Sequence, residues 1–187
     1  MPDQVTTIKQ FNLNPGQRAE RKLLVTVLEW TEPTTDGSTS STEVVRALLG
    51  VRTEDSAIEY NPDIQETTDI LGNNYTDVNK TQPSQSFDPH LILGGDRLGA
   101  YLNDIRRRNA LSELGGFTAY IITAFIGDST NGYEAEKHTD CSVTYESIGG
   151  DTNVNFPYTV HFSNKITTGT VDKIGADLTF TADVTTP

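Results

Sequence analysis

The side chains whose types could do acid–base, nucleophilic or metal chemistry are His90, His138, His161, Cys141 and the carboxylates around them. No two histidines stand at a helical or strand spacing that would let them share a metal ion. Glu136, His138 and Asp140 alternate, which puts them on one face of a strand. A carboxylate–imidazole pair there could move a proton, but the simpler expectation is a solvated strand face. Cys141 then falls on the opposite face, where a small packed side chain is expected rather than a nucleophile. A GxxxxGK(S/T) loop, a GxGxxG turn after a strand, CxxC and HExxH are all absent. A Ser-His-Asp triad is defined in space rather than by spacing, and nothing in the residue order favours one. No catalytic residue, metal site or cofactor is expected.

Charge is more informative than chemistry. The chain of 187 residues carries a formal net charge of -12. Its pI is near 4.5 and its mean hydropathy is -0.43. Such a surface repels nucleic acid and the anionic leaflet of a membrane, because both are gripped by Lys and Arg. Glu54, Asp55, Glu59, Asp63, Glu66, Asp69 and Asp77 form an acidic band in which Lys80 is the only nearby cation after Arg52. The band either serves solubility or lines a surface that must not hold DNA. Strand alternation lets only part of it face one way, and Asp63, Glu66, Asp69 and Asp77 are the candidates for a lining. Arg106, Arg107 and Arg108 form a short basic cluster. It suits the C-terminal end of a helix and ion pairs with carboxylates, either of this chain or of a neighbouring copy.

The elements that would position these groups are mostly strands. Residues 23–30 and 117–126 are apolar on both faces, as expected of interior strands covered twice. Residues 136–146 alternate. Val154, Phe156, Tyr158, Val160 and Phe162 alternate with polar residues and Pro157, and Leu178, Phe180, Ala182 and Val184 repeat the pattern. Residues 96–109 are the one helix: Leu98, Tyr101, Leu102 and Ile105 make a single apolar stripe, and Asp96 can cap its start. Residues 1–21 read as an extended arm and residues 31–45 as a surface loop, low in complexity and rich in Ser and Thr. Residues 63–82 read as a protruding hairpin turning at Gly72, Asn73 and Asn74. Its composition cannot order it alone, so it needs another surface to lie on. The expected fold is a single mainly β domain over residues 1–187: two packed antiparallel sheets, sandwich-like or barrel-like, with one flanking helix and a long inter-subunit hairpin. The polar N-terminus, the lone cysteine and the lack of an apolar span point to a protein made in a reducing cytosol, without membrane insertion.

The order of elements over residues 58–109 resembles the major tail (tail tube) proteins of long-tailed bacteriophages. The resemblance rests on Tyr60-x-Pro62, the hairpin approach Thr67-Thr-Asp-Ile-Leu-Gly72, and Pro83-Ser-Gln-Ser-Phe-Asp-Pro89. The helix Gly95-Asp-Arg-Leu-Gly-Ala-Tyr-Leu-Asn-Asp-Ile-Arg-Arg107 continues it. Glu134-Ala-Glu-Lys137, Phe156-Pro-Tyr-Thr-Val-His-Phe162, Gly169-Thr-Val171 and Leu178-Thr-Phe-Thr-Ala182 extend it toward the C-terminus. No single element is diagnostic; their order and spacing carry the likeness.

The resemblance implies a non-enzymatic virion protein of the siphophage type, assembled in the host bacterial cytoplasm as homo-hexameric rings. The rings stack into a tail tube through which DNA passes without specific binding. It also implies tail terminator, tape measure and distal tail proteins as partners. Gly72, Asn73, Asn74 and Arg106, Arg107 and Arg108 would be subunit contacts. The tube of a contractile tail or of a secretion-type device is the nearest alternative. A monomeric β-sandwich ligand-binding module is the rival from another class. It would need aromatic residues on a concave face, and Trp30 is the only tryptophan.

Overall fold

The computed structural model describes residues 9–36, 39–51, 53 and 55–183. Among the described residues the fold is mainly β, with antiparallel pairing, two sheets, one α-helix and no closed barrel. The strands come in the order β1 (Leu24–Asp36), β2 (Thr39–Leu48), β3 (Ile58–Glu59), β4 (Asp63–Thr68), β5 (Asn74–Lys80) and β6 (Ser84–Phe87). Helix α1 (Arg97–Arg108) follows, then β7 (Gly115–Asp128), β8 (Gly132–Tyr145), β9 (Tyr158–His161), β10 (Ile166–Val171) and β11 (Phe180–Ala182). The larger sheet has the spatial order β2-β1-β7-β8-β9-β6-β3, and the pair β10–β11 joins it along the first half of β8. The second sheet is the hairpin β4–β5.

The large sheet curls so that its two halves face each other. Thr26 of β1 donates to the Gln85 side-chain oxygen of β6 at 2.7 Å, although three strands lie between them in the ladder. Between the halves sits the main core, which includes Leu28, Trp30, Phe87, Phe117, Val143 and Tyr158. On the other side of β1 and β7 a second cluster forms from Val27, Tyr120, Ile122, Ala135, Val171 and Leu178. These two clusters explain why the sequence of β1 and β7 is apolar on both faces.

Helix α1 lies within the expected span. Asp96 accepts from the Gly99 N–H at 2.9 Å, and Asn109 closes the C-terminus in the left-handed conformation at φ 54°. Leu98, Leu102 and Ile105 are buried, and Tyr101 stacks on Trp30 with ring centres 5.8 Å apart. Arg97 reaches Glu32 at 2.7 Å and Glu43 at 3.2 Å, fastening the helix start to β1 and β2.

Of the surface loop expected over residues 31–45, residues 31–36 and 39–45 are strand instead. β1 continues to Asp36 and β2 begins at Thr39, in unbroken register from Trp30↔Val45 to Asp36↔Thr39. Thr34 and Thr35 pair with Ser41 and Ser40, and Thr31, Thr42 and Thr39 with Val44, Pro33 and Asp36, so backbone pairing rather than apolar alternation makes this ribbon, and β-branched Thr suits a strand. The phase of β8 also differs from simple alternation. Asp140 sits at φ 59°, and His138 and Cys141 pair with Ala119 and Phe117, so three steps on β8 oppose two on β7. This bulge turns His138 and Cys141 to the same side and buries both. The expected solvated face for His138, with Cys141 opposite, is therefore wrong. The strand expected from residue 154 starts only at Tyr158, leaving Val154 exposed, and the last strand is Phe180–Ala182. Val184, Glu54, Arg52 and residues 1–8 of the arm lie outside the described residues. Within the rest of the arm the Asn12 N–H donates to the Phe125 carbonyl at 2.9 Å, and Phe11 meets the Phe125 ring edge-on.

Candidate assembly surface

The groups with chemical potential are consumed by structure. His138 is buried, its Nδ1 2.8 Å from the Ser163 carbonyl and its Nε2 3.3 Å from Glu136. The Cys141 thiol donates to the His138 carbonyl, and burial pushes its pKa up, away from the thiolate that nucleophilic chemistry needs. His90 bonds Asp96 at 2.8 Å and so braces the helix cap. His161 meets the Thr144 hydroxyl at 2.9 Å. Among the described residues no buried side-chain nitrogen or oxygen lacks a partner, and no cluster of three or more His, Cys, Asp or Glu is placed to hold a metal ion. No described helix is long and apolar enough to cross a membrane.

What the fold leaves unused is the hairpin β4–β5. Every residue of both strands is exposed, so neither face is covered by the other described residues. The register Ile64↔Val78, Glu66↔Thr76 and Thr68↔Asn74 defines one face, and Gln65↔Asp77 and Thr67↔Tyr75 define the other. Two-stranded sheets are marginal in water without something to pack on. Ile64 and Val78 are nevertheless 57% and 62% exposed, directly opposite each other. At the turn Ile70 is fully exposed and Leu71 is 81% exposed.

The turn itself is well built. Asp69 accepts from the Leu71 N–H at 2.8 Å, the Asn73 N–H at 2.9 Å, the Asn73 amide at 2.9 Å and the Tyr75 hydroxyl at 3.0 Å. These bonds, led by that from the Asn73 side chain, hold its pKa down to about 2. Gly72 takes φ 83°, a conformation that favours glycine, and Asn74 accepts from the Thr68 hydroxyl at 2.8 Å. A rigid turn thus presents two bare aliphatic side chains to solvent.

The four candidate lining acids are all exposed but do not share a direction. Asp63 opens β4, Glu66 stands on the Ile64–Val78 face, Asp77 stands on the opposite face, and the Asp69 carboxylate is committed to the turn. Of the helix arginines, Arg108 pairs with Asp104 at 2.7 Å and Glu113 at 2.8 Å, and Arg106 donates to Asn103 at 2.9 Å. Arg107 is exposed and without a partner among the described residues. Sequence reasoning counted Gly72, Asn73 and Asn74 as the contact point and passed over Ile64, Ile70, Leu71, Tyr75 and Val78. The signal was there in Ile70-Leu71, an aliphatic pair where a turn ordinarily carries polar residues.

No family model and no curated protein matches the chain. Among the solved structures that are similar is the tube terminating cap of the anti-feeding prophage, over 89% of this chain and 99% of that one. The TM-score is 0.44 and the identity 12%, and no functional conclusion follows from likeness at that level.

Proposed function

We propose that this chain is a non-enzymatic, self-assembling structural protein: the tail tube subunit of a long-tailed phage particle, forming homo-hexameric rings that stack into a conduit for DNA. The observation that carries this reading is the β4–β5 hairpin, which is ordered in its turn, exposed on both faces and tipped with aliphatic side chains. A monomer gains nothing from such an element and risks aggregation through it, whereas a neighbouring copy can bury it. The sequence resemblance over residues 58–109 supplies the kind of assembly.

In this reading the Ile64–Val78 face lies against a neighbour. Asp77, on the other face, is then the hairpin acid free to line the lumen, and Glu66 belongs to the contact rim. Carboxylates along a channel repel phosphates over roughly one Debye length, about 8 Å at physiological salt, so DNA slides without being held. Terminator, tape measure and distal tail proteins would meet the ends and interior of such a tube in the virion.

The test is sedimentation velocity on the purified chain and on a variant shortened by deleting the turn around Gly72, Asn73 and Asn74. The parent should form large species without nucleic acid, and the variant should stay a folded small one. A parent that remains monomeric at high concentration, or a deletion that assembles normally, contradicts the proposal.

A further inference from the structure

Resting on that assembly reading, the geometry points to where the hairpin tip docks: we infer that Ile70 and Leu71 of one copy insert into a crevice of a second copy beside the 48–51 corner after β2. The crevice has a volume of about 370 Å³, with Leu24, Val25, Leu48, Val51 and Phe87 among its apolar lining. Leu48 and Val51 are exposed, at 42% and 54%, so the crevice has an apolar wall and mouth as well as a buried base in Phe87.

Charge selects this crevice over the others. Arg21 and Lys22 stand at its edge, in a chain whose overall charge is strongly negative; Lys22 is paired with Glu20 at 2.5 Å, so the charge the crevice offers is that of Arg21. Arg21 donates to the backbone carbonyls of Leu24 and Ser56 rather than to a carboxylate, so its orientation is fixed while its charge is not cancelled. The hairpin brings the complementary sign: Asp63, Glu66, Asp69 and Asp77 against Lys80 alone. The similar cavity on the other side of the 48–51 corner contains Arg46 and Arg97, but both are already paired, with Glu29 and with Glu32 and Glu43. The groove lined by Tyr60 and Phe125 shares Arg21 but adds Asp55 and Glu136, which would repel an acidic hairpin. An aliphatic tip on an acidic stem thus meets an apolar crevice with a basic edge.

Tip and crevice are different surfaces of the same chain, so the contact is head-to-tail. Such contacts repeat until they close a ring or extend a filament. Six residues of β4 at about 3.3 Å each give the hairpin a reach of roughly 20 Å, enough to cross to an adjacent copy.

Mixed-copy cross-linking tests the assignment. One variant carries Leu71→Cys; its partners carry Thr53→Cys in this crevice, Leu93→Cys in the neighbouring cavity or Phe125→Cys in the acidic groove. Cys141 is fully buried and contributes no background. With a short bis-maleimide, the pair of Leu71→Cys with Thr53→Cys should give the dominant covalent dimer. In parallel, Leu71→Asp should raise the protein concentration needed for assembly about tenfold or more, as loss of a central apolar anchor does. Assemblies that form normally but cross-link through Leu93→Cys or Phe125→Cys overturn the docking site and leave the assembly reading standing. A chain that never assembles overturns both.

Discussion

Ile64 faces Val78 directly across the β4–β5 ladder, and each is more than half exposed. A cross-strand pair of β-branched residues stabilises a hairpin when it is also packed on something, and among the described residues of one chain nothing lies over this pair. Replacing both with Ser should therefore change the unfolding free energy of the monomer by no more than about 0.5 kcal/mol. Assembly should weaken sharply. Urea unfolding and sedimentation on the same double variant separate the two effects; a large loss of stability with intact assembly would show that the pair serves the fold.

The helix divides its labour differently. Leu102 is fully buried in the main core, so Leu102→Ala should cost about 2–5 kcal/mol, read from the urea midpoint. A loss below about 1 kcal/mol would mean that the core around α1 collapses to fill the space far better than cores ordinarily do.

Arg107 and Arg108 should behave unlike each other. Arg108 is already satisfied by Asp104 and Glu113, whereas Arg107 has no partner among the described residues. Arg107→Glu should impair assembly while leaving melting unchanged, and Arg108→Ala should act weakly on both. Equal effects of the two on assembly would place the subunit contact elsewhere on the helix.

Acid should unfold the protein from a definite direction. Burial raises the Asp96 pKa, but the hydrogen bonds from His90 and the Gly99 N–H outweigh it and leave the carboxyl below its ordinary value of 3.8. Asp69 is held at about 2 by the Asn73 side chain and the other donors of its turn. A carboxyl whose folded pKa is depressed contributes stability above the unfolded value, and that contribution is lost as pH falls through the folded one. Stability should thus be level above pH about 5 and decline from about 4 toward 2. Urea midpoints across that range check it; a midpoint that stays flat or rises on acidification contradicts the sign.

Much of this architecture was legible in the residues. The stripe Leu98, Leu102, Ile105 announced the helix, and the doubly apolar runs of β1 and β7 announced strands covered on both faces. Three features were not. The β1–β2 ribbon beyond the core carries Ser and Thr without apolar alternation, so no burial pattern marks it, and only mutual backbone pairing makes it strand. The bulge at Asp140 inserts one residue and reverses the face of everything after it, which alternation counted along a sequence cannot register. In the hairpin, the acids and the Gly72-Asn73-Asn74 turn drew attention to charge and to the turn residues as the contact. The aliphatic pair Ile70-Leu71 at a turn was a signal in the residues, but that it stands bare is seen only in the fold, where both side chains are exposed.

Negative-stain electron microscopy of the purified protein over rising concentration bears on the proposed tube itself. Rings or hollow tubes of uniform diameter, formed without added nucleic acid, are expected. Featureless monomers at every concentration would contradict it.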